Sequence, residues 1–186
     1  MSQSLLLEVA RQSITEVLEA SRHIDVKQLK NEHPILNEKI ATAVTLYLDN
    51  EVRAHHSSLH PEKSLLDDLI YNAKIAAFES ALYPPITTSQ YLHVSIQVSL
   101  LTPLKELDYQ DIDSLLTQIT PHTDGLIMSY KGRESYIFPD AWSKKKNTSD
   151  VLTQLSDAVK TDSSLQDHPK VSIFQIQSAK DKPILC

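Results

Sequence analysis

Two glycines in 186 residues are too few for the loops that cradle phosphates. A P-loop or a dinucleotide fingerprint needs several glycines within a few residues, so nucleotide-binding loops of those kinds are excluded and no cofactor is expected. A single cysteine excludes an internal disulfide and any zinc site built on several thiolates. Long apolar runs are also missing. The N-terminal run Leu5 to Leu7 is closed by Glu8 and followed by Arg11, far short of a signal-peptide core or a membrane span. The expected place is a reducing cytosol, away from membranes. Positive charge is in the minority, with 18 Lys plus Arg against 24 Asp plus Glu and a net charge of −6. That balance opposes binding to a polyanion, so nucleic acid is not an expected partner. Cys186 is the last residue rather than the fourth from the end, so it is no prenylation signal. Beyond Pro183 it is expected to be an accessible thiol without a catalytic role.

What is present reads as a folded chain: 41% of residues are hydrophobic and 23% charged. The length favours one domain over residues 1–186, with a smaller lobe formed by part of the chain. From Ser4 to Ala20, Leu6, Val9, Ala10, Ile14, Val17 and Leu18 recur at helical spacing and predict an amphipathic helix. Thr42–Leu48 and Val52–His56 flank Asp49-Asn50-Glu51 and predict a hairpin. Ser64, with Asp67 three residues on, predicts a capped helix that cannot pass Pro84-Pro85 and is expected to end before Tyr83. His93 to Leu101 alternates as a half-buried strand, and Asp111 to Ile119 returns to helical spacing. Two further strands flank a three-residue loop Lys131-Gly132-Arg133, a helix runs from about Ser149 to Lys160, and Val171 to Gln177 is the last strand. Ser143–Ser149, with Lys144, Lys145 and Lys146, and Thr161–Pro169 are expected connections. Hairpins outnumber crossovers, so the predicted class is α+β around a mainly antiparallel sheet.

Several blocks resemble a known family. Leu5-Leu6-Leu7-Glu8-Val9-Ala10-Arg11-Gln12-Ser13-Ile14 and Asn72-Ala73-Lys74-Ile75-Ala76-Ala77-Phe78 are similar to helices of the AMMECR domain family, whose prokaryotic members are called protein A of the AmmeMemoRadiSam system. Tyr83-Pro84-Pro85-Ile86-Thr87, Val94 to Pro103, and His122 to Met128 with Lys131-Gly132-Arg133 follow in the same order. The resemblance implies an α+β architecture with a smaller lobe, and Memo-like or radical-SAM proteins as partners. The family's hallmark, Leu-Arg-Gly-Cys-Ile-Gly, is replaced here by Val52-Arg53-Ala54-His55-His56-Ser57. Only the arginine is kept, so chemistry resting on that cysteine cannot run in the same way.

The altered signature carries the candidate site: Arg53, His55, His56, Ser57 and, from the following helix, Asn72. Adjacent strand residues point to opposite faces, so His55 and His56 cannot both ligate one metal without a bulge. His55 with His60, and Glu62 or Asp67 as a third ligand, is a looser set, and no metal is expected. Ser57 or Ser58 beside a histidine lacks the glycines of a nucleophile elbow. The acidic pairs Asp67-Asp68 and Asp111 with Asp113 are explained by helix dipoles. Arg53 has two readings: a fork for a carboxylate or phosphate, or a strand-end side chain paired with Glu51 or Glu62. The expected function is a non-catalytic accessory protein that binds a small anionic ligand or a protein partner through a groove near Arg53. Its rivals are an enzyme using a histidine-lined pocket for acid–base or metal-assisted chemistry, and a module working through an exposed sheet edge.

Overall fold

The computed structural model describes residues 3–142, 147–162 and 164–185. The Cys186 thiol and the Lys144–Lys146 run lie outside them. In chain order the elements are α1 (Gln3–Leu18), α2 (Val26–Glu32), β1 (Thr42–Leu48), β2 (Glu51–Ser57), α3 (Leu65–Phe78), α4 (Thr88–His93), β3 (Val94–Leu101), β4 (Lys105–Glu106), α5 (Ile112–Leu116), β5 (Gly125–Tyr130), β6 (Arg133–Ile137), α6 (Thr148–Val159), β7 (Lys170–Phe174) and β8 (Ile176–Lys180). The fold is α+β, as the pattern predicts. The chain forms two compact units, Met1–Leu101 with Gln177–Cys186, and Thr102–Ile176. One sheet has the order β2-β1-β3-β8 and the other β4-β7-β5-β6. Among the described residues no helix is long and apolar enough to cross a membrane.

In the first unit the apolar stripe of α1, with Leu6, Val9, Ala10 and Ile14, shares a core with Leu65, Leu66, Leu69 and Ala73 of α3. Val44 and Leu46 of β1, Ala54 of β2 and Ile96 of β3 complete it from the sheet. Helix α3 starts where its cap predicts, on Ser64, whose Oγ accepts from the Asp67 N–H. It stops at Phe78, short of the prolines. The chain then runs without regular structure until the Ile86 N–H returns to the Ala77 carbonyl at 2.8 Å. The turn of the β1–β2 hairpin has two residues rather than three: Asp49 and Asn50 take φ of 53° and 65°, the left-handed pair that a tight hairpin requires. Neither α2 nor α4 is expected from apolar periodicity, because both are short and lean on capping, by Asp25 and by the Thr87–Gln90 box. Helix α4 takes His93 from the expected strand.

In the second unit the β5–β6 turn is again two residues. Lys131 and Gly132 have φ of 47° and 77°, and Arg133 belongs to β6. Asn147 caps α6, so Thr148 and Ser149 are helical rather than a linker. Gly125 leaves room for Phe174, since a Cβ there would lie 2.3 Å from the ring. The expected single strand Val171–Gln177 is two strands in two sheets, broken at Gln175. Gln175 is held by Thr102, whose N–H donates to the Gln175 carbonyl and whose Oγ1 accepts from the Gln175 N–H, both at 2.9 Å. A local alternation pattern cannot see that switch.

Candidate functional site

Strand β2 carries most of the candidate residues, and its register decides which way each faces. It pairs with β1 through Leu46↔Ala54, Thr45↔His55, Val44↔His56 and Ala43↔Ser57, and beyond a bulge through Tyr47↔Val52. Paired residues share a face. Val44, Leu46 and Ala54 belong to the core under α1 and α3, so His56 faces the helices while His55 and Ser57 face away from them. The contacts agree. The His56 ring meets Tyr71 of α3 edge-on at 5.9 Å, and Lys63 Nζ sits 3.3 Å from the centre of the same tyrosine ring. His55 Nδ1 lies 2.9 Å from Thr45 Oγ1. The Ser57 hydroxyl is buried without a hydrogen-bond partner among the described residues. Burial holds the His56 imidazole below its ordinary titration value, and Lys63 adds to this against the opposing charges of Asp68 and Glu79.

Arg53 is the extra residue of the bulge and has no cross-strand partner. Only 6% of it is exposed. Its Nη2 donates to the Pro84 carbonyl at 2.7 Å, and the guanidinium lies 5.1 Å from the centre of the Tyr83 ring, an attractive cation–π geometry. Nη1 is buried and has no hydrogen-bond partner among the described residues. None of the ion pairs among the described residues involves Arg53, so the pairing with Glu51 or Glu62 expected as one reading is not made. The bulge turns the side chain to the segment after α3 instead.

Asn72 lies in a different environment. It is fully buried, and its Nδ2 is within 3.2 Å of the Thr42 carbonyl, Thr42 Oγ1, Asp68 Oδ2 and Ser58 Oγ. Asp68 Oδ2 also accepts from Thr42 N–H at 2.9 Å and Thr42 Oγ1 at 2.7 Å. This network ties α3 to the start of β1 and the end of β2. Asp68 is therefore a buried acceptor for β1, more than the helix-dipole residue expected from its place in the first turn. Asp67 matches that expectation better, with Lys30 Nζ and Ser64 Oγ on its Oδ2 at 2.7 and 2.6 Å. Asp111 is the cap of α5.

The five candidates thus occupy four environments: Arg53 under Tyr83 and Pro84, His56 beside Tyr71, Asn72 in the buried network with Asp68 and Thr42, and His55 with Ser57 on the face away from the helices. No group of three or more His, Cys, Asp or Glu side chains among the described residues is placed to hold a metal ion. Tyr83 and Pro84 are the site residues that sequence reasoning passes over. An aromatic residue before two prolines reads as a helix stop, and nothing local shows that an arginine on a distant strand lies beneath it.

Comparison with known proteins sets this geometry in context. The family model AMMECR1 matches residues 7–179. A protein of Thermofilum pendens is 30% identical over 146 residues, covering 73% of this chain and 68% of its own. Protein NEQ441 of Nanoarchaeum equitans is 26% identical, covering 76% and 80%. The crystal structure of the uncharacterized protein PH0010 from Pyrococcus horikoshii superposes with a TM-score of 0.83 at 21% identity, covering 98% of this chain and 93% of that one. It shares the fold.

Proposed function

The chain belongs to the AMMECR1 family, and from the state of Arg53 we propose that it is a non-catalytic accessory protein that binds an anionic group at that residue. The observation that supports this is the buried Nη1 donor without a partner. A guanidinium keeps its charge on burial, and an unsatisfied charged donor in the interior is costly. One carbonyl and one ring face compensate part of that cost. An anion supplied by a small molecule or by a partner protein completes it.

The enzyme reading has one observation in its favour, the unpartnered Ser57 hydroxyl on the face that carries His55. Against it, His56 faces α3, so the two histidines do not line one pocket. The test of the binding reading is a thermal-shift screen of small anions on the parent protein and on Arg53→Lys and Arg53→Ala. A stabilising anion whose effect shrinks in both variants is the expected result. Variants that melt lower while every anion keeps its effect would make Arg53 purely structural.

A further inference from the structure

Resting on that reading, we propose that the ligand of Arg53 is a monocarboxylate, admitted when the Tyr83–Pro84 strap is displaced, and that the Pro84 carbonyl in the closed state stands where one carboxylate oxygen goes. Charge selects the class. Arg53 brings one positive charge and no ion pair among the described residues involves it. A carboxylate balances that charge one for one. A phosphate group carries about 1.5 to 2 negative charges at neutral pH and leaves an excess in a buried site.

Geometry selects the direction of approach. The guanidinium carbon lies over the Tyr83 ring, and the edge that can meet a carboxylate is the one formed by Nη1 and Nη2. Nη2 is spent on a neutral carbonyl and Nη1 on nothing. Two carboxylate oxygens engage that edge as parallel bonds between opposite charges, in place of the single bond from the guanidinium to a neutral carbonyl.

The strap is built to yield. Ala81 to Pro85 are exposed, Leu82 to 85%. Within it the Leu82 N–H reaches only Ser80 Oγ at 3.3 Å, and Pro84 and Pro85 have no N–H to give. Beyond the Ile86 N–H bond to Ala77, the hydrogen bond from Arg53 ties the strap to the sheet among the described residues. Replacing that bond releases Tyr83.

The experiment is calorimetric and NMR titration of the full chain at matched ionic strength with sodium benzoate, inorganic phosphate, and the capped peptide acetyl-Leu-Glu-Leu-amide, whose one carboxylate is a side chain. A carboxylate should bind saturably, phosphate about tenfold more weakly or worse, and the cross-relaxation between the Tyr83 ring and the Arg53 side chain should vanish at saturation. Tighter binding of benzoate identifies a free small acid, and tighter binding of the peptide identifies an acidic partner protein; either supports the class. Arg53→Lys should weaken the carboxylate about tenfold, because an ammonium cannot make both parallel bonds. Tyr83→Ala should tighten it by removing the lid. Phosphate binding as well as benzoate would overturn the carboxylate and leave the anion reading standing. No anion binding, or affinity unchanged in Arg53→Lys, would sink both. Binding with the Tyr83–Arg53 contact intact, or left unchanged or weakened by Tyr83→Ala, would overturn the strap displacement, and that second variant carries the test if Arg53→Lys does not fold.

Discussion

Arg53 and His55 are two residues apart on one strand and reach different surroundings: Arg53 lies beneath Tyr83 and Pro84 after α3, while His55 points away from α3 to Thr45. In a regular strand, residues i and i+2 share a face. The bulge at Leu46/Tyr47 breaks that rule by leaving Arg53 unpaired, and bulges re-aim side chains in this way. Arg53 is thereby separated from the two candidates, His55 and Ser57, that a flat strand would set beside it.

Removing the charge should separate a binding role for Arg53 from a structural one. Arg53→Met keeps a long apolar stem and removes a guanidinium that no carboxylate among the described residues pairs with, so its stability is expected within about 1 kcal/mol of the parent, or above it. Arg53→Ala also loses the packing of the stem and should cost about 2–3 kcal/mol. Urea denaturation measures both. A methionine variant as unstable as the alanine one would make the guanidinium itself part of the scaffold.

Asn72 should behave in the opposite way. Asn72→Leu keeps the branched shape of the side chain but strips a donor from Asp68 Oδ2 and the Thr42 carbonyl in a fully buried setting. The expected loss is about 2–4 kcal/mol, read as a lower denaturation midpoint at unchanged slope. An effect on benzoate affinity without a loss of stability would move Asn72 from the scaffold to the ligand site.

Local chemistry explains what the sequence shows of this fold. The cap at Ser64, the alternation in β3 and the apolar stripe of α1 each act over a few residues, and each can be read directly. The switch at Gln175 depends on Thr102, and the place of Arg53 depends on a bulge and on a segment some thirty residues on. Neither leaves a periodic trace. Among the candidates, the divergence of His55 from His56 follows from strand geometry alone. The Asp68–Thr42–Asn72 network exists only once α3 is packed on β1, and the state of Nη1 only once the bulge sets Arg53 beneath Tyr83 and Pro84.

Gly125 offers a test of the second unit. Its missing Cβ is the space for the Phe174 ring, 2.3 Å from where that carbon would be. Gly125→Ala should cost about 1–3 kcal/mol through forced repacking. Adding Phe174→Leu should recover part of it if the clash is the cause. A double variant at the sum of the two single losses would show that the ring is not what the glycine accommodates.

Acid should lower the protein's stability in two separable declines. Burial holds the His56 imidazole below its ordinary 6.5, so between that value and its folded one the unfolded chain binds more protons than the folded chain. Its contribution is complete above pH 6.5 and is lost as pH falls through that window. For Asp67, burial raises the titration value, but hydrogen bonds from Lys30 and Ser64 outweigh it and leave the carboxyl below its ordinary 3.8. Glu16 likewise falls below 4.5 because Lys74 and the Ile24 and His23 N–H groups overcome the effect of burial. Both contributions are present above those ordinary values and are lost as pH drops through the lower folded ones. The stability profile should therefore decline first below pH 6.5 and again below pH 4.5. His56→Gln should flatten only the first decline, and Lys30→Met with Lys74→Met only the second. A first decline that survives His56→Gln would place the proton uptake on another group.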